Sequence, residues 1–193
     1  MIVVALAGAL ALVGELACAS KSIEIQQETS DGGPGIWVDP YTGLSWQNPP
    51  ADRQMTPEEA RDYCDGLVIG EMFDWRLPDI DQLRSLVRGC PLTVPLERGG
   101  SCPVSASCTE EKCGIPSVCE WPCARQGGPG MHGEYWDAAL SGTSFGYWSA
   151  SSVPCMSENC RYMGPWTWAV FFDSGTVGFE GDQARLTVRC VHR

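Results

Sequence analysis

Eleven cysteines lie in a chain of 193 residues, and their thiols could serve three chemistries: disulfides, a zinc centre or a nucleophile. Cys108-x4-Cys113 and Cys119-x3-Cys123 stand at nearly metal-ligand spacing, and four thiolates would make a tetrahedral site. Such cysteine density in a short chain points instead to an oxidising compartment, where disulfides form in preference to zinc-thiolate centres. Cys155 and Cys160 bracket a short stretch and are the pair favoured by proximity. If Cys18 is lipidated or cleaved away with a leader, ten cysteines remain, and their pairing leaves no thiol as a nucleophile. His132 and His192 are far apart and have no companion motif. There is no H-E-x-x-H, no G-x-S-x-G, no P-loop and no dinucleotide fingerprint. Carboxylates are plentiful, but none are paired at a spacing that demands acid–base work. The expectation is a non-enzymatic protein with no catalytic residue, metal or cofactor.

Aromatic side chains are the other candidates. Trp136, Tyr147, Trp148, Tyr162, Trp166 and Trp168 crowd the C-terminal half. Trp148 and Trp168 lie in runs that resemble blocks of a known family, quoted below, and that resemblance implies that they are core. Tyr135, Trp136, Tyr162 and Trp166 lie in loop-like, glycine-rich contexts. Trp136, Tyr162 and Trp166 are therefore the expected ligand platform, for stacking on sugar rings or on a protein partner. A formal charge of −11 and a pI near 4.5 exclude nucleic acid, which needs a basic footprint.

The elements that must position these residues follow in chain order. Residues 1–19 read as a leader, with an apolar run too short to span a bilayer. Leu16-Ala17-Cys18 is similar to the end of a lipobox, which would make Cys18 a lipid-bearing residue; Ala17-Cys18-Ala19 is alternatively an ordinary small-x-small cleavage site. Residues 20–35 are a polar, glycine-ending tether. Ile36–Val38 and Leu44–Trp46 flank a turn and predict a hairpin. Thr56-Pro57-Glu58-Glu59 is a capping box opening a first helix, with Ala60, Tyr63, Cys64 and Leu67 on one face. Leu77-Pro78 forces a corner, and Asp79 with Gln82 caps a second helix carrying Ile80, Leu83, Leu86 and Val87 inward. From Cys90 to about Gly146 periodicity is lost, and disulfides are expected to order that insertion. Trp166–Phe172 and Thr176–Phe179 form a second hairpin, and Leu186, Val188 and Cys190 alternate in a half-buried closing strand. Residues 36–193 thus make one domain.

Several of these runs carry a family resemblance. Asp74-Trp75-Arg76-Leu77-Pro78-Asp79-Ile80-Asp81-Gln82-Leu83 resembles the W-R-L-P-T-x-x-E-L signature of the Lcl C-terminal domain family, named for a bacterial collagen-like adhesin. Thr42-Gly43-Leu44-Ser45-Trp46 is similar to its opening T-G-L-x-W, and Ala60, Tyr63, Cys64 and Leu67 to its A-x-x-Y-C-x-x-L helix. Tyr147-Trp148-Ser149-Ala150-Ser151, Trp168–Gly175 and Val188-Arg189-Cys190-Val191 resemble its later blocks, in the family's order. The resemblance implies an α+β domain of C-type-lectin-like type, with two helices, a twisted antiparallel sheet and the disulfide-stapled insertion. In such folds the first helix and the last strand are neighbours and are commonly bridged, which implies a Cys64–Cys190 disulfide. The calcium-binding tripeptides of sugar-binding C-type lectins are not present, so their mechanism is not carried over.

Function follows the resemblance: binding or adhesion at or outside a bacterial cell surface, toward a glycan, polyanion or protein. Two other classes remain open. One is an enzyme related to formylglycine-generating oxidases, which use a reactive cysteine pair with copper. The other is a purely structural envelope protein.

Overall fold

The computed structural model describes residues 35–107, 117–143, 145–153 and 165–193. Cys18, Cys108, Cys113, Cys155, Cys160 and Tyr162 lie outside the described residues. Strands β1 (Gly35–Val38) and β2 (Ser45–Asn48) pair antiparallel around a turn built by Asp39. Its carboxylate accepts from the Tyr41 N–H at 3.1 Å and from the Thr42 hydroxyl at 2.8 Å, and Gly43 supplies the positive φ of 71° that closes the turn. The same carboxylate, fully buried, pairs with Arg88 at 2.9 Å and ties the hairpin to the segment after the second helix.

Helix α1 (Pro57–Asp65) starts as the sequence dictates. The Thr56 hydroxyl accepts from the Glu59 N–H, Glu59 accepts from the Thr56 N–H, and Pro57 fills the position whose N–H would be orphaned. Helix α2 (Ile80–Ser85) repeats the device with Asp79 and Gln82, while the Ser151 hydroxyl accepts from the Ile80 N–H at 3.0 Å. The helix ends two residues earlier than its apolar periodicity predicts. Leu86 and Val87 continue in tighter turns and are still buried, and Gly89 at φ 76° turns the chain away. The corner before α2 works as a strand extension, with the Ala150 N–H donating to the Pro78 carbonyl at 2.7 Å.

Strands β3 (Gly146–Ser152), β4 (Trp166–Phe171) and β5 (Thr176–Gly181) form an antiparallel sheet in that order. Alternate residues feed two apolar clusters. Tyr147, Trp168 and Val170 join Trp46, Leu83, Leu86 and Val191 on one face; Trp148 and Ala169 join Met55, Ala60, Trp75 and Leu77 on the other. The sheet is thus covered on both sides by the rest of the domain.

The closing segment departs from expectation. Only β6 (Val191–His192) is regular, paired with β2 in a second three-stranded sheet. Leu186 to Val191 are buried at every position, not at alternate ones. The reason is that the segment runs between the two sheets. On one side Leu186, Val188 and Cys190 bond to Met55, Ala51 and Gln47; on the other Thr187 bonds to Gly146 and Trp148, and Val191 to Arg76. Arg189, 1% exposed, is accommodated because its guanidinium donates to the Gln47 and Ser141 carbonyls and lies over the Trp136 and Tyr147 rings. Burial pushes its pKa below the usual arginine value and that of Tyr147 above the usual phenol value.

Three disulfides occur among the described residues. Cys64–Cys190 joins α1 to the closing segment across a separation of 126, as the resemblance implied. Cys90–Cys123 and Cys102–Cys119 are nested within the insertion. The zinc spacing of Cys119 and Cys123 therefore has no counterpart, since the two go to different disulfides. These bonds fit an oxidising, extracytoplasmic setting. The architecture is α+β, and among the described residues no helix is long and apolar enough to cross a membrane.

The insertion is not a peripheral appendage. Cys90, Cys102, Cys119, Tyr135, Trp136 and Leu140 belong to the main apolar cluster. Its first part, residues 90–104, is held by Arg84, whose buried guanidinium donates to the carbonyls of Thr93, Val94, Cys102 and Val104. Desolvation lowers the pKa of this arginine, and no carboxylate forms an ion pair with it among the described residues.

Candidate functional site

The expected platform is not assembled by the structure. Trp136 is 1% exposed, and its ring packs on Phe172 at 5.0 Å and on Tyr147 at 5.5 Å. This corrects the reading of its glycine-rich surroundings as a solvated loop. A Cβ on Gly128 would stand 2.1 Å from the Glu134 carbonyl oxygen, and one on Gly133 2.2 Å from that of Gln126. These glycines mark close backbone approach, not exposure. The Tyr135 N–H donates to the Phe172 carbonyl at 2.7 Å, which delivers the next residue into the core. Trp166 is half-buried and stacks on Phe179 with ring centroids 4.3 Å apart. Tyr162, outside the described residues, is not placed.

The exposed aromatic surface is elsewhere, and its centre is a residue that sequence reasoning passed over. Trp121 is 66% exposed. It lies between Cys119 and Cys123, each anchored by a disulfide, and follows a short 3-10 turn at Ser117–Cys119 that packs on β5. Its backbone is left-handed, with φ 48°, a conformation that a bulky residue holds only when its surroundings impose it. The signal available in the sequence was a tryptophan set in the densest run of cysteines.

A chain of polar contacts ties the Trp121 backbone to the β4–β5 turn and returns over its ring. The Trp121 N–H donates to the Thr176 hydroxyl oxygen at 3.0 Å. Thr176 and Ser174 share a hydrogen bond of 2.9 Å, and the Ser174 hydroxyl donates to Asp173 Oδ1 at 3.1 Å. Asp173 Oδ2 accepts from Arg125 Nε at 3.1 Å and forms an ion pair with Nη2 at 2.9 Å, and the Arg125 guanidinium returns over the Trp121 ring at 5.2 Å. The β4–β5 turn carrying Asp173, Ser174 and Gly175 is itself locked. The Thr93 hydroxyl donates to the Gly175 carbonyl at 2.6 Å, and a Cβ on Gly175 would meet the Cys90 sulfur at 2.7 Å.

Beside these contacts lies a groove of about 430 Å³ with a mostly apolar lining. Trp121, Phe145 and Phe171 supply its aromatic surface, and Phe145 is 53% exposed; the Phe179 ring turns to the other face of the sheet, against Trp166 and Trp168. Gly178 lies under the ring of Phe171, and so does Gly146, where a Cβ would clash with Phe171 Cε1 at 2.7 Å. The two glycines, on the strands either side of β4, let the ring lie low, with Phe145 edge-on to it at 6.1 Å. Glu120, Asp173 and Glu180 line the groove against a single cation, Arg125. A hollow of similar volume near Thr56, Arg61 and Asp182 has a mainly polar lining.

A rigid aromatic surface with a few carboxylates can stack on a flat or cationic group and accept its hydrogen bonds. In comparison with known protein families, the model described as the Lcl C-terminal domain matches residues 35–192. No curated protein and no solved structure matches the chain.

Proposed function

Because this chain belongs to the Lcl C-terminal domain family, we propose that it is a non-catalytic binding or adhesion module displayed outside the cytoplasm, and that the groove beside Trp121 is its recognition face. The observation that carries the reading is an exposed tryptophan held between two disulfide-anchored cysteines, with its backbone N–H tied to Thr176. Immobilising a large aromatic before the ligand arrives reduces the ordering cost of binding, and tryptophan anchors dominate interface energetics. The ligand is a glycan or a protein; the acidic groove disfavours a polyanion. The scaffold is C-type-lectin-like in this reading, with recognition placed on its irregular segments. The domain is either lipid-anchored on Cys18, with the residues before it removed, or secreted after removal of residues 1–19.

Glycan and protein arrays probed with the exported chain test the proposal. Trp121→Ala and Phe145→Ala should stay folded and each lose about tenfold or more in affinity for the ligand found. Binding untouched by both changes would remove the groove from consideration. Titration of the native protein with a thiol reagent separates the module from the oxidase alternative, in which two reactive, copper-sensitive thiols are expected. The N-terminal mass distinguishes a diacylglyceryl Cys18 from simple secretion.

A further inference from the structure

The geometry points to a cationic side chain as the group this groove receives: an arginine of a peptide segment on a partner protein, laid on Trp121 and paired with Asp173. This rests on the groove being the recognition face. The molecule already shows the binding mode with one of its own residues. Arg125 places its guanidinium 5.2 Å over the Trp121 ring, donates from Nε to Asp173 Oδ2 and pairs with the same carboxylate through Nη2. Its side chain is 67% exposed, so the contact is wet and readily exchanged. A ligand arginine that reaches the same ring and carboxylate with Phe145 and Phe171 beside it is better desolvated, which strengthens both contacts. The charges agree. The groove lining holds Glu120, Asp173 and Glu180 against Arg125 alone, so with Arg125 turned aside it presents three carboxylates and no cation. A planar guanidinium stacks on an aromatic face and donates at its edge, a combination that an ammonium does not reproduce. On this account Arg125 is a built-in competitor that occupies the site until a partner displaces it.

The test uses the full chain and three probes: hexa-arginine, a glucosamine hexamer and heparin, with dissociation constants from calorimetry. Hexa-arginine should bind the native protein and bind Arg125→Ala about tenfold tighter, since the competitor is gone. Trp121→Ala, which leaves the net charge unchanged, should lose that binding, and the double variant W121A/R125A should lose the gain. A thermal melt confirms that each variant is folded. Weaker peptide binding by Arg125→Ala, or equal binding by Trp121→Ala, overturns the inference, the second because it reveals only attraction to an acidic protein. Preference for the glucosamine hexamer or for heparin overturns it as well. If the array ligand is lost in Trp121→Ala while hexa-arginine does not bind, the recognition face stands and the cation assignment falls. If the array ligand ignores Trp121→Ala, both fall.

Discussion

The helical part of this domain and its stapled part both contribute to the core, and they are ordered by different means. In residues 56–89 each helix begins with a reciprocal capping box, so orphan donors are satisfied within one turn of the chain. In residues 90–146 the described elements are two short 3-10 turns and the start of β3, yet Cys90, Cys102, Tyr135 and Trp136 are as buried as any helix residue. There the buried carbonyls are satisfied from a distance, by Arg84, and the path is fixed by two nested disulfides. One guanidinium with its fork of donors does for an irregular loop what a ladder of amides does for a helix.

The hardest blow to that contrast is Arg84→Met, which keeps the length and removes the donors. It leaves several buried carbonyls without partners and should cost about 3–5 kcal/mol in chemical denaturation. Hydrogen exchange should show lost protection concentrated in residues 90–107. Equal loss across α1 would mean that the two parts are a single cooperative unit. Removing disulfides in pairs gives a graded comparison. Cys64→Ala/Cys190→Ala should cost about 2–4 kcal/mol, and Cys102→Ala/Cys119→Ala roughly 1–2 kcal/mol less, because its loop has a separation of 17 against 126. Only the second pair should alter Trp121 fluorescence. Costs of the same size would show that native-state strain, not loop closure, sets the scale.

A smaller effect belongs to the local devices. Asp79→Ala deletes the cap of α2 and should cost about 1 kcal/mol, read as a shift in the denaturation midpoint. The smallest is a pH dependence at Glu59, whose pKa is lowered first by the Thr56 N–H and then by Arg185. A carboxylate lowered on folding stabilises the protein above its unfolded pKa, and that contribution is lost as pH falls through the folded value. Glu59→Gln keeps the capping geometry without the charge. Its melting temperature should lie slightly below that of the native protein near neutral pH, and the gap should close in acid. A gap that persists at low pH would assign the effect to shape instead of charge.

What could be read from the sequence follows the same divide. Thr56, Glu59, Asp79 and Gln82 declared their roles because capping is settled within four residues. Cys64–Cys190 came through the family resemblance, not through spacing. Alternation in a half-buried closing strand sets Thr187 and Arg189 on the face opposite Leu186, Val188 and Cys190, yet both are buried, because Arg189 finds carbonyl partners in residues 47 and 141 that no local pattern announces. Trp136 was misplaced because glycines signal both exposed turns and tight backbone contacts, and only three-dimensional neighbours tell them apart. Trp121 was overlooked because its prominence depends on which cysteines pair.

The run from Leu186 to His192 imposes an order of events on the making of this protein. During synthesis it emerges after everything that it binds: Gln47, Ala51, Met55, Cys64, Arg76, Gly146 and Trp148. Until it arrives, β2 and β3 each lack the neighbour that finishes their pairing, and Cys64 has no partner. Contacts of such long sequence separation cannot form piecemeal, so the chain stays pliable while most of it is being made. A fold closed by so late a segment is completed in one final step, in which both sheets and the Cys64–Cys190 bridge are finished together.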